Sequence, residues 1–154
     1  MWREFICKEG DFSLQVPGVP TKLKQPESVL LKLANSKVAG FSLERQDLPA
    51  LFYVYYVDFP EADLQDPDKQ LETVFTFARS MKKRKLDVKK IQFEGFPGRE
   101  TKMDLDGKGG YVEVSRVYLV NNRFYQISVA TPKDQTSANY VSKYLDSFRL
   151  VDRN

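Results

Sequence analysis

The stretch ALFYVYYVDF, residues 50–59, is apolar at nearly every position. Successive side chains of a β-strand point to opposite faces of a sheet, so this stretch would present two apolar faces. One face would carry Phe52, Val54 and Tyr56, and the other would carry Leu51, Tyr53, Tyr55 and Val57. A strand of this kind is typical of the middle of a sheet that is covered on both sides. The stretch therefore predicts a central strand between two layers.

Shorter alternating runs on either side of this stretch predict further strands. Phe12, Leu14 and Val16 alternate with polar residues before a Pro-Gly pair. Turn residues in DLDGKGG, residues 104–110, lie between two alternating runs and predict a hairpin. We read NNR at 121–123 as a tight turn, and GFPGRE at 95–100 as a turn by its composition.

Two helices are predicted from apolar residues three and four positions apart. The first begins at Asp66 and Pro67, a helix start signal, and is expected to end near Lys85. Its core-facing stripe comprises Leu71, Val74, Phe75, Ala78 and Met81. The stripe of the second comprises Val141, Tyr144, Leu145 and Phe148, with Tyr140 outside it. We therefore expect one α+β domain over residues 1–154, with an antiparallel sheet of about six strands and helices packed on it.

The absence of histidine limits the chemistry of this chain. Its 154 residues contain no histidine and one cysteine, Cys7, which we expect to lie buried in a strand. A Ser-His or Cys-His dyad, a histidine metal ligand and an internal disulfide are therefore excluded. A pair of catalytic carboxylates stays open, since 21 Asp and Glu are available, but none is distinguished by its neighbours. We expect no enzyme activity and no cofactor.

The first residues and the apolar runs of the sequence indicate where in the cell the protein is expected. No apolar run approaches the roughly 18–20 residues of a membrane helix, and the first ten residues are charged, unlike a signal peptide. We therefore expect the protein in the cytoplasm unless the chain begins downstream of a removed leader.

Charge is distributed unevenly along the chain. Residues 1–77 carry 8 basic and 12 acidic side chains, whereas residues 78–154 carry 16 and 9. Six basic residues fall within nine positions: Lys82, Lys83, Arg84, Lys85, Lys89 and Lys90. Cations at the end of a helix are favoured by its dipole, so this run has a purely structural interpretation. The next interpretation in weight is docking of an acidic protein or an anionic membrane surface, while nucleic acid is not favoured because no aromatic residues interleave with the run.

Five carboxylates lie close together in residues 58–68: Asp58, Glu61, Asp63, Asp66 and Asp68. Hard cations prefer several oxygen ligands, so these residues are a weak candidate for a divalent-cation site. The competing interpretation is a solvated loop whose last acids favour the positive end of the following helix. Further along, Arg99 and Glu100 could mark a surface contact, but a cross-strand ion pair at the start of a strand is the favoured interpretation.

Four segments together carry a family resemblance. They are FSLQVPGVP at 12–20, GFPGRE at 95–100, RVYLVNNRFYQISV at 116–129 and YLDSFRL at 144–150. In this order and spacing they resemble the PsbP-like superfamily, in particular its cyanobacterial-type branch. The resemblance covers essentially the whole chain and implies an α/β/α sandwich with a central antiparallel sheet.

The resemblance also implies a kind of function. Named members of the superfamily are non-enzymatic, as extrinsic subunits and assembly factors of photosystem II, or as binders of a small GTPase. Histidines discussed for metal binding in photosystem members have no counterpart here. We therefore expect an accessory module that docks a protein partner, at a photosynthetic or envelope membrane. The resemblance implies a location in the thylakoid lumen or the periplasm if a leader was removed before Trp2, and the cytoplasm is expected otherwise. The alternative is a module that binds a small ligand or a divalent cation.

Overall fold

A computed structural model of the protein describes residues 2–23, 39–45, 47–59, 66–72, 86–105 and 110–151. Its strands are β1 Arg3–Cys7, β2 Phe12–Val16, β3 Thr21–Lys22, β4 Ala39–Glu44, β5 Leu51–Asp58, β6 Leu86–Phe93, β7 Phe96–Asp104, β8 Tyr111–Val120, β9 Arg123–Pro132 and β10 Arg149–Leu150. Helix α1 is described over residues 67–72, and helix α2 is Asn139–Asp146, preceded by a 3-10 helix at Lys133–Gln135.

The described strands form two antiparallel sheets. The larger has seven strands in the order β3-β4-β5-β9-β8-β7-β6, and the smaller has three in the order β1-β2-β10. The expectation of about six strands in one sheet was therefore wrong in number. Alternation along a strand indicates which residues are extended, but not which sheet they join. That choice depends on pairings such as Arg149 with Ser13, which lie far apart in sequence.

The layers around the large sheet confirm the prediction in part. A helix lies on each face of the sheet, as expected, but the described residues include few helical ones, and a second sheet shares one of the layers. On one face, α2 shares the layer with the three-stranded sheet, and these two elements enclose a first core around Phe12, Phe52, Tyr125 and Phe148. On the other face, Leu71 of α1 packs with Tyr55, Val57 and Val117 in a second core.

Strand β5 confirms the prediction made from its two apolar faces. It lies between β4 and β9, paired with both in antiparallel register. Phe52 and Val54 face the first core, while Tyr55 and Val57 face the second. The sheet is thus covered on both sides at this strand, as its two apolar faces predicted.

The helix signals hold where the structure describes them. The Asp66 carboxylate accepts a hydrogen bond from the Lys69 backbone N–H at 3.2 Å, and Leu71 is buried. The rest of the predicted α1 stripe and its predicted end near Lys85 lie outside the described residues. In α2, the predicted stripe is buried, and Phe148 follows just beyond the helix end.

Two of the three predicted turns are tested by the structure. A tight turn at Asn121, whose φ is 55°, joins β8 and β9 as predicted. GFPGRE is mostly strand, because the turn is formed by Glu94 and Gly95 and β7 begins at Phe96. Residues 106–109 lie outside the description, but the strands that flank them pair as a hairpin. Within the described ranges, no helix is long and apolar enough to cross a membrane.

Candidate functional site

A groove of about 380 Å³ lies between the end of α2 and strands β6, β7 and β8. It opens on the face of the large sheet that holds the first core, beyond the area covered by the small sheet. Its apolar lining consists of Ile91, Phe93, Tyr118, Leu145 and Phe148. Charged side chains complete the wall, so the groove combines an apolar floor with a charged rim.

Three aromatic rings form the floor of the groove. Phe93 and Tyr118 are stacked with their ring centroids 4.7 Å apart. Phe148 lies 5.4 Å from Phe93 and 5.5 Å from Tyr118, measured between centroids. These separations are within the range of favourable aromatic contacts. The three rings come from β6, β8 and the segment after α2, so tertiary packing alone assembles them.

Gly98 gives the floor its depth. A Cβ at this position would lie 2.6 Å from the Val117 carbonyl oxygen and 2.7 Å from a ring carbon of Tyr118. Such distances are well below van der Waals contact, so no larger residue fits without displacement of its neighbours. The Tyr118 ring can therefore lie across β7 only because residue 98 has no side chain.

Arg116 is held between two carboxylates at one wall of the groove. Its Nε donates to Glu100 at 3.0 Å and its Nη1 to Asp146 at 2.6 Å. Burial acts to lower the pKa of Arg116, but the bonds to Asp146 and Glu100 outweigh it and raise that pKa. Arg116 therefore remains charged, and its charge is compensated within the protein.

Two other cations at the rim have no carboxylate partner in the described part of the chain. Lys89 is exposed on β6. The exposed Arg149 donates through Nη1 to the backbone carbonyls of Asp146 at 2.9 Å and Phe148 at 2.8 Å. Those two bonds orient the guanidinium, while its Nε and Nη2 make no hydrogen bond to a described residue. Both cations can therefore receive an anionic ligand.

The structure separates the two described members of the predicted basic run. In the β6–β7 register Lys89 lies opposite Glu100, without an ion pair between the two side chains, and it lines the groove. Lys90 lies opposite Arg99. Because neighbours on a strand face opposite ways, Lys90 points to the face that carries α1. Lys82, Lys83, Arg84 and Lys85 lie outside the described residues. Among the described strands β6 is the last on its side of the sheet, where lysines also discourage edge-to-edge aggregation.

The acidic residues of 58–68 that the structure describes have separate partners. Asp58 receives two hydrogen bonds from Arg123, at 2.6 and 3.0 Å, whereas Asp66 caps α1. Asp68 receives two from Arg99, both at 3.1 Å. Glu61 and Asp63 lie outside the description, and no metal-ligating cluster of three occurs among the residues described. The cation site stays a prediction.

Arg99 and Glu100 lie on opposite faces of β7 and have different partners. Glu100 forms the expected cross-strand pair, since it lies opposite Arg116 on β8. Arg99 does not, because its fully buried guanidinium binds Asp68 and Glu72 of α1 instead. The expectation was right for one residue and wrong for the other.

The groove itself was not predicted from the sequence. Its charged wall depends on Arg116, Asp146 and Arg149, none of which was singled out. A signal was present in RVYLV, residues 116–120, where alternation places Arg116 and Tyr118 on the same face of one strand. Their partners on α2 and β6 come from distant segments, so only the folded chain reveals the site.

The chain is similar to known proteins in its fold but not in its sequence. No family model and no curated protein matches the sequence. The solution structure of cyanobacterial PsbP (CyanoP) from Synechocystis sp. PCC 6803 superposes with a TM-score of 0.64 and 9% identity, covering 97% of this chain and 92% of that one. A crystal structure from Bacteroides thetaiotaomicron gives a TM-score of 0.61 and 11% identity; the match covers 97% of this chain but only 48% of the other. The chain therefore has a PsbP-like fold.

Proposed function

We propose that the protein is a non-enzymatic accessory module that docks an acidic protein partner, at a photosynthetic or envelope membrane. The observation that carries this proposal is the groove, whose aromatic floor is bordered by two cations without carboxylate partners among the described residues. The similarity of fold to cyanobacterial PsbP supports an accessory role in photosynthesis.

The arrangement of the groove suits a protein interface. Interfaces that form and dissociate commonly have an apolar centre rich in aromatic residues and a polar rim that remains accessible to water. Charges at the rim contribute mainly to the rate and specificity of association. The partly exposed Ile91 and Phe93 correspond to such a centre, and Lys89 and Arg149 correspond to such a rim.

The basic run adds charge next to this surface along the chain. Lys85 is followed directly by Leu86, the first residue of β6, so four further cations precede the strand that borders the groove. A surface of this sign attracts acidic partners and repels basic ones over about a Debye length, roughly 8–10 Å at physiological ionic strength. Association through it should therefore weaken as salt is added.

Affinity capture from lysate and solubilised membranes of the source organism tests the proposal. The wild type is compared with a variant in which Lys82, Lys83, Arg84 and Lys85 are replaced by glutamine. A matched control carries the same loss of charge at four exposed cations away from the groove: Arg3, Lys8, Lys22 and Lys133. We expect the first variant to lose an acidic partner that both wild type and control retain, and the retained binding to weaken with salt. Identical capture by all three proteins would contradict this function.

A further inference from the structure

We propose that the groove binds an acidic segment of the partner, with an apolar side chain against Ile91 and Phe93 and a carboxylate on Lys89 and Arg149. The inference rests on the proposed docking function and specifies the surface and the chemistry of the segment that it accepts. Three features of the groove carry it: the partly exposed apolar side chains of β6, the net positive charge of the lining and its concave shape.

Part of the apolar lining is left uncovered by the protein itself. Ile91 and Phe93 on β6 are only partly buried, whereas Tyr118 and Phe148 are buried and support the Phe93 ring from the protein side. The Tyr118 ring and Ile91 fill the space next to Gly98, where a Cβ would lie 2.7 and 3.3 Å from them. A leucine or aromatic side chain of a partner would remove this surface from water, and that is the main favourable term in protein association.

The charges of the groove select the sign of the ligand. Glu100 and Asp146 are both occupied by Arg116, at 3.0 and 2.6 Å. With Lys89 and Arg149, the groove is lined by three cations and two carboxylates, so its net charge is positive. Two backbone carbonyls already hold Nη1 of Arg149, which leaves Nε and Nη2 free for a carboxylate. Because this guanidinium is oriented before binding, less conformational entropy is lost when an anion binds.

The shape of the site favours a protein segment over a membrane surface. Lipid headgroups form an extended layer that contacts protruding side chains, whereas the aromatic floor is recessed between α2 and β6. Among the described residues, the most exposed large apolar side chains are Val19 at 67% and Ile6 at 50%, and neither lines the groove. A single side chain projecting from a polypeptide can enter such a recess, but a lipid surface cannot follow it.

Calorimetric titration with a defined peptide tests the inference. The probe is a blocked peptide with one central phenylalanine between three glutamates on each side. The variants are Lys89→Gln and Arg149→Gln, with Lys90→Gln as the matched control, since Lys90 has the same charge on the same strand but faces away from the groove. We expect Lys89→Gln and Arg149→Gln each to raise Kd about fivefold or more, and Lys90→Gln to change it less than about twofold. Replacing the central phenylalanine of the probe by serine should also weaken binding.

Three results would overturn the inference. They are no binding by the wild type, equal losses for Lys89→Gln and Lys90→Gln, which would indicate unspecific attraction, and equal affinity of the phenylalanine and serine peptides. Vesicles of phosphatidylglycerol in phosphatidylcholine form a further arm, and binding of these vesicles that depends on Lys89 without binding of the peptide would assign the groove to a membrane instead.

Failure of this inference can be distinguished from failure of the proposed function. If the function holds but the groove is not the docking site, neutralising Lys82 to Lys85 still abolishes capture of the partner, while Lys89→Gln captures it as the wild type does. If the function itself fails, neither variant changes what is captured.

Discussion

Gly98 shows how a single residue without a side chain allows the Tyr118 ring to pack against β7. We expect Gly98→Ala to lower the free energy of unfolding by about 1–3 kcal/mol, because its methyl group would overlap the Val117 carbonyl and the Tyr118 ring. Urea unfolding followed by circular dichroism measures this loss, and near-ultraviolet circular dichroism reports the displaced tyrosine. The peptide affinity should fall together with stability, since the ring that moves belongs to the floor.

Gly18→Ala is the matched control for this substitution. A Cβ at Gly18 would lie 3.1 Å from Leu43 Cδ1, the end of a flexible side chain that can move aside. The control should therefore lose less stability and leave the near-ultraviolet spectrum unchanged. Equal effects of the two substitutions would show that loss of glycine flexibility, and not the close approach at Gly98, is responsible.

Among the contacts between secondary-structure elements, those of Arg99 hold helix α1 against the large sheet. Its five N–H groups donate to Asp68 Oδ1, Glu72 Oε1 and the backbone carbonyl oxygen of Gly98, with donor–acceptor distances of 2.8 to 3.2 Å. An ammonium group keeps the charge but lacks the planar fork that reaches both carboxylates. We expect Arg99→Lys to lower the free energy of unfolding by about 1–3 kcal/mol and to speed hydrogen exchange of the amides in residues 67–72.

Arg45→Lys provides the comparison for an exposed pair. Arg45 binds Asp47, whose side chain is 58% exposed, and surface pairs contribute about 0–1 kcal/mol. A loss for Arg99→Lys no larger than that for Arg45→Lys, with unchanged exchange in residues 67–72, would mean that α1 is held by apolar contacts alone.

For the whole molecule, buried tyrosines predict sensitivity to alkali. Burial raises the pKa of Tyr144, whose hydroxyl donates to the Tyr53 carbonyl at 2.9 Å. Burial, then the nearby charge of Glu113, raises the pKa of Tyr53. Tyrosines of the unfolded chain titrate near about pH 10, so above that pH the folded state retains more protons. Stability should be complete below about pH 10 and fall above it by up to about 1.4 kcal/mol per pH unit for each such tyrosine.

Denaturant unfolding between about pH 8 and 11.5, with tyrosinate absorbance as a second probe, measures this dependence. The variant Tyr144→Phe should show a shallower decline, since it removes one of the titrating groups. A free energy of unfolding that stays level through this range, or one that rises, would contradict the assignment of these tyrosines to a protonated state.

The elements were predictable because their signals are local. Alternation identified β5 and its two covered faces, Asp66 marked the start of α1, and the α2 stripe was read correctly up to Phe148. The error at GFPGRE has a local cause as well. Glycine and proline are frequent in turns, but the left-handed backbone is needed only at Glu94 and Gly95, so the following residues are free to extend into β7.

The class of the fold, the central strand, the starts of the helices and the absence of histidine chemistry could all be predicted from the sequence alone. All of these follow from composition or from a period of two or three to four residues. Three features are visible only in the folded chain. The strands divide between two sheets, Lys89 and Lys90 face opposite sides of β6, and Arg116 binds Glu100 and Asp146. Those partners lie 16 and 30 positions from Arg116 along the chain. Contacts over such distances depend on which strands pair and where the loops return, and a local period carries no information about either.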